Sequence, residues 1–118
     1  MHSVLFVSDD RDLRDVAARV LRAAGWDVRA VPHGGHALLA CVEGQSFEVL
    51  AVDDRMPDET GAALARRLRR YCPLLRTVRL QNQAGAVEAD GIAVVRPFTA
   101  DDLIDAVRQA AATPGATV

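Results

Sequence analysis

The chain predicts an α/β fold, a doubly wound parallel sheet of five strands with helices on both faces. Three observations carry that prediction. Short apolar, β-branched-rich runs recur near positions 3, 26, 47, 76 and 92, each the length of one buried strand. Most of the segments between them repeat apolar residues at the i, i+3, i+4 spacing of a helix with one buried face. Strands alternating with helices build a parallel sheet through right-handed crossovers. With 118 residues the chain forms one domain, residues 1–112, and 113–118 read as a flexible tail or linker stub.

The first strand spans Ser3 to Ser8, and an acidic loop, Asp9 to Asp12, follows it. Leu13, Val16, Ala17, Val20, Leu21 and Ala24 then mark the buried face of a helix. Acids in its first turn complement the helix dipole, and Gly25 ends it. Trp26 to Val31 is the second strand, and Pro32 with Gly34-Gly35 forms a loop. A shorter helix from about His36 to Glu43 stops at Gly44. Phe47 to Val52, interrupted only by Glu48, is the third strand. Ala62 to Tyr71 reads as the next helix, burying Leu64, Ala65 and Leu68, with Tyr71 as a further candidate, before Pro73 breaks it. Arg76 to Leu80 is the fourth strand. The polar, glycine-containing stretch Gln81 to Gly91 is too short for a full helix with its two connections. Ile92 to Val95 is the fifth strand, and Arg96-Pro97-Phe98 turns the chain. Thr99 caps a last helix whose stripe is Leu103, Ile104, Val107, Ala110 and Ala111.

Composition narrows the function classes. A net charge of -2 gives no general pull toward nucleic acid or membrane, so this domain is expected to contact neither. MHSVLFVSDD has no cationic start and its apolar run ends at two acids, unlike a signal peptide. No apolar stretch approaches the ~20 residues that cross a bilayer, so a cytoplasmic location is expected. All 14 basic residues are arginine. Cys41 and Cys72 read as reduced thiols in or near the core rather than a disulfide or zinc framework.

The simplest strand arrangement is the flavodoxin-like order 2-1-3-4-5, which makes strands one and three neighbours at the switch point where such sheets place ligands. Asp9-Asp10 and Asp53 end those two strands. Three carboxylates there make a hard-oxygen site suited to Mg²⁺. With its charge balanced, Asp53 can act as a nucleophile toward a phosphoryl donor, and Arg96 at the end of strand five is the candidate cationic group.

Val-Ser-Asp-Asp after strand one, Val52-Asp53 followed by Arg55-Met56-Pro57 and Gly61, and Arg96-Pro97-Phe98 before the last helix together resemble the receiver domain of two-component response regulators. Each motif is weak alone; their order and the 43 positions from Asp10 to Asp53 make the combination specific. The resemblance implies a signalling domain rather than an enzyme, at most self-catalysing phosphotransfer. By it, Asp53 is the phospho-acceptor, served by a histidine kinase or phosphotransfer protein. Asp10 binds Mg²⁺ directly, Asp9 through water, and the backbone carbonyl of Arg55 completes the protein ligands. The Arg96-Pro97 bond is expected to be cis, and a downstream protein or effector domain receives the signal.

The departures from the family pattern are specific. Receivers carry Thr or Ser where Gln81 stands, Lys where Arg96 stands, and an aromatic residue where Ala93 stands; Gln81 stays a candidate site residue, able to donate a hydrogen bond to phosphate through a longer arm. Only 15 positions separate Gln81 from Arg96, about two helical turns fewer than usual, so the fourth receiver helix is expected to be shortened or missing. Losing the hydroxyl and the aromatic ring predicts an atypical output switch. The alternative is a pseudo-receiver, a phosphorylation-independent protein-interaction module. A small phosphatase ranks lower for want of a general acid or substrate lobe, and a flavin protein lower still for want of a phosphate loop after strand one. Of the remaining features, Arg66, Arg67, Arg69 and Arg70 read as a solvated helix face. His33 and His36 read as surface loop histidines, and Asp54 and Asp58 either add negative potential to the crevice rim or are solvated loop acids, the second reading being favoured for Asp58.

Overall fold

Five strands, β1 (Ser3–Val7), β2 (Asp27–Val31), β3 (Val49–Asp53), β4 (Arg76–Gln81) and β5 (Ile92–Val95), form one sheet in the order β2-β1-β3-β4-β5. Every neighbouring pair is parallel. The order is the one predicted. The structure is a computed structural model and describes residues 2–56, 59–81 and 91–112. The helices are α1 (Arg11–Ala23), α2 (Gly34–Val42), α3 (Gly61–Leu68) and α4 (Ala100–Ala112).

Strand periodicity divides the core in two. Val4, Phe6, Val49, Ala51, Val78 and Leu80 pack with Ala17 and Leu21 of α1 and Leu103, Ala106, Val107 and Ala110 of α4. Leu5, Val7, Leu50 and Val52 pack with Ala37 and Cys41 of α2 and Leu64, Ala65 and Leu68 of α3. β3 is buried along its whole length, as a strand covered on both faces must be.

Several element boundaries differ from the sequence reading. Asp10 is the N-cap of α1, its Oδ1 accepting from the N–H groups of Asp12 and Leu13, so the helix starts inside the expected acidic loop. Val16 is 57% exposed rather than buried. It lines an open groove with Leu13, Val20, Pro97 and Phe98 instead of entering the packed interior. Gly34 and Gly35 belong to the first turn of α2, not to a loop. A Cβ on Gly34 would stand 2.7 Å from Glu59 Oε1 and 3.1 Å from Leu64 Cδ1, so this glycine answers to close packing on α3 rather than to a turn. α3 ends at Leu68, and Tyr71 is exposed because Cys72 takes the inward position in the turn that follows.

Other expectations hold. Gly25 and Gly44 follow α1 and α2 at φ +96° and +93°, the left-handed conformation that terminates helices. Thr99 caps α4: its hydroxyl accepts from the Asp102 N–H and Asp102 Oδ2 accepts from the Thr99 N–H. The Arg96-Pro97 bond is cis. The helix expected to be shortened or missing between β4 and β5 falls on 82–90, outside the described residues, as do Asp58 and the 113–118 tail. Among the described residues no helix is long and apolar enough to cross a membrane.

Candidate functional site

The register of β1 on β3 pairs Val7 with Val52, so the next residues, Ser8 and Asp53, meet at the carboxyl edge of the sheet. Both are fully buried. Asp53 Oδ1 accepts a hydrogen bond from the Arg55 N–H at 2.9 Å. The same oxygen lies 2.9 Å from Arg96 Nη2 and 3.7 Å from Arg55 Nε. Asp53 Oδ2 accepts from the Ser8 hydroxyl at 2.9 Å, and Ser8 Oγ in turn accepts from the Asp10 N–H at 3.1 Å.

Burial is the largest influence on the Asp53 carboxyl and pushes its pKa up. The Arg55 N–H, the Arg96 guanidinium and the Ser8 hydroxyl together outweigh it and hold the group below its ordinary range. Asp53 is therefore a buried carboxylate kept ionised by its donors.

Asp10 joins the crevice through Arg55, whose Nη2 lies 3.6 Å from Asp10 Oδ2, so one guanidinium bridges the acid after β1 and the acid that closes β3. Asp9 is exposed. Gln81 Nε2 donates to Asp54 Oδ2 at 3.3 Å. Asp54 also accepts the Gly61 N–H at 3.2 Å and lies 4.0 Å from Nη1 of the buried Arg79. It thus ties the start of α3 to the end of β4, a structural task rather than that of a rim acid.

The sequence does not single out two side chains that line the crevice. Ser8 was absorbed into a strand, although a hydroxyl in an apolar run just before an acid pair is a signal. Arg55 entered only through its carbonyl, whereas its guanidinium occupies the crevice. The donors for a divalent cation, carboxylates of Asp10 and Asp53 and the Arg55 carbonyl, are hard oxygens of the right kind. Among the described residues, however, no three acidic, histidine or cysteine side chains are arranged to hold a metal, and the Arg55 side chain would have to withdraw. Elsewhere, His33 and His36 sit at the start of α2 with ring centroids 5.5 Å apart, both exposed. Of the arginine run, Arg66, Arg67 and Arg70 are exposed, but Arg69 turns inward to Leu75 O and Thr77 Oγ1.

A buried, ionised aspartate at the switch point of a 2-1-3-4-5 sheet, met by a guanidinium from the loop after β5, places the chain among α/β proteins whose site lies at the carboxyl edge of the sheet. The family model for the response regulator receiver domain matches residues 4–108, and the chain belongs to that family. Its members are signalling domains of two-component systems, phosphorylated on an aspartate.

A response regulator receiver protein of Anaeromyxobacter sp. is 33% identical over 92% of this chain and 39% of its own length. The receiver protein CpdR of Brucella abortus is 27% identical over 92% of this chain and 96% of its own. Among solved structures, the receiver domain of the hybrid histidine kinase CckA is 29% identical, with a TM-score of 0.78 over 92% of this chain and 98% of that one. The chain spans 39%, 37% and 25% of the length of three curated relatives, two of which, GltR and DctD, are transcriptional regulatory proteins.

Proposed function

We propose that this chain is a receiver that takes a phosphoryl group on Asp53 in an Mg²⁺-dependent reaction, with an atypical output switch. The observation that carries the reading is the carboxylate itself, buried yet ionised, with Arg96 and the Arg55 N–H converging on Oδ1. Those are the donors an incoming phosphoryl group needs: as Oδ1 attacks phosphorus, they follow the negative charge onto the phosphoryl oxygens. Mg²⁺ held by Asp10, Asp53 and the Arg55 carbonyl, with Asp9 reaching it through water, would neutralise the phosphoryl charge. A response regulator of Thermotoga maritima, TrrA, with a TM-score of 0.78, has been solved in complex with Mg²⁺ and BeF. The donor would be a histidine kinase or phosphotransfer protein, and the setting cytoplasmic. The greater length of GltR and DctD supports a downstream effector domain or partner. Gln81, engaged with Asp54, and Ala93, exposed on β5, support an altered output.

Acetyl phosphate with Mg²⁺, read by intact-protein mass spectrometry, tests the reading. One phosphate mass is expected on the wild type and none on Asp53→Ala; a wild type that gains nothing overturns it. One observation favours the second reading, a phosphorylation-independent interaction module. Arg55 already supplies a positive charge between Asp10 and Asp53. Arg55→Ala separates the two. On the receiver reading Mg²⁺ binds several-fold tighter to the variant by calorimetry, and on the module reading neither protein binds it.

A further inference from the structure

We infer that Ser8 sets the lifetime of the phosphorylated state, an inference that rests on Asp53 being the acceptor. Ser8 Oγ accepts from the Asp10 N–H at 3.1 Å, which turns its single proton toward Asp53 Oδ2 at 2.9 Å. The hydroxyl is fully buried and the N–H of Ser8 is fixed on Val31 O, so the donor is held in place from both ends. The two oxygens of Asp53 are thereby made unequal. Oδ1 carries the donors that can pass to a phosphoryl group, and Oδ2 carries a hydroxyl aimed at the carboxylate alone.

In the transfer, a lone pair of Oδ1 bonds to phosphorus. The P–N bond of a phosphohistidine, or the P–O bond of acetyl phosphate, breaks with its electron pair leaving on the imidazole or acetate. Oδ2 then becomes the neutral carbonyl oxygen of an acyl phosphate, a weaker acceptor than a carboxylate oxygen. In hydrolysis, water oxygen bonds to phosphorus, the P–Oδ1 bond breaks and its electron pair returns to Asp53. One water proton stays on phosphate and the other passes to solvent. Ser8 strengthens its bond to Oδ2 as that charge returns, so it stabilises the departing carboxylate and speeds loss of phosphate. It is a positioning residue, acting through Asp53. The site thus retains a hydroxyl near the acceptor, supplied from the end of β1, although the end of β4 offers Gln81.

The test loads the protein with acetyl phosphate and Mg²⁺, removes the donor by rapid desalting and follows the phosphorylated mass with time. Ser8→Ala is expected to keep its phosphate about tenfold longer than the wild type, the loss of one hydrogen bond to a charged group. Ser8→Thr, which restores a hydroxyl, is expected to return the lifetime toward that of the wild type. A purely structural serine would shift the melting temperature of Ser8→Ala and leave the lifetime unchanged, and that result overturns the inference. A wild type that takes no phosphate overturns the acceptor reading and this inference together. Phosphorylation with equal lifetimes in the wild type and Ser8→Ala overturns only the role of Ser8.

Discussion

Arg96 and Asp53 form a 2.9 Å ion pair whose side chains are 17% and 0% exposed. A pair this dry is costly to break from one side, because the survivor stays buried without its counter-charge. Arg96→Ala should therefore lower stability by about 3 kcal/mol in urea at pH 7. Adding Asp53→Asn to that variant should recover much of the loss. The same geometry fixes a pH dependence. The folded-state value of Asp53 lies below its ordinary one, so the unfolded chain binds the proton more readily. The stabilisation is fully present above the unfolded-state value of about 3.9 and is lost as pH falls through the lower folded-state value. Melting temperatures at pH 7 and pH 3 should accordingly differ less in Asp53→Asn than in the wild type.

Among the elements, α3 begins against the residues that flank Asp53. A Cβ on Gly61 would stand 2.6 Å from Val52 Cγ1 and 2.8 Å from Asp54 Oδ1, one on the strand that ends at Asp53 and the other its neighbour. Gly61→Ala should cost about 1–3 kcal/mol, the usual penalty of overpacking, seen as a lower urea midpoint with an unchanged slope. The elements also separate what the chain discloses from what it hides. β3 was legible because an apolar run broken only by Glu48 needs no partner to be recognised. Asp10, Asp53 and Arg96 were legible because strand ends and spacing locate them. The start of α2 was not, since Gly34 answers to Glu59 and Leu64, residues far along the chain. Ser8 was missed for a related reason: a single hydroxyl has no periodicity, and its meaning arises only when Val7 registers with Val52.

Across the whole molecule, the two apolar layers differ in what they enclose. Cys41 and Cys72 lie on the α2–α3 side, both buried and both free thiols. Burial first, then the hydrogen bond and charge of Cys72, push Cys41 up to about 12. Both thiols being buried, thiol reagents at neutral pH should label the pair only on global unfolding, with rates that follow denaturant as the folding equilibrium does. The opposite layer reaches the crevice through Arg96. This residue leaves the outermost strand, donates its N–H to Gln81 O at 2.7 Å, and reaches past the tip of β4 to the carboxylate that closes β3. Its guanidinium is therefore a cross-brace that moors the rim of the sheet to its midline. Whatever draws that side chain off Asp53 also slackens the rim, and amide exchange should quicken along Ile92–Val95 while β1 and β3 keep their protons.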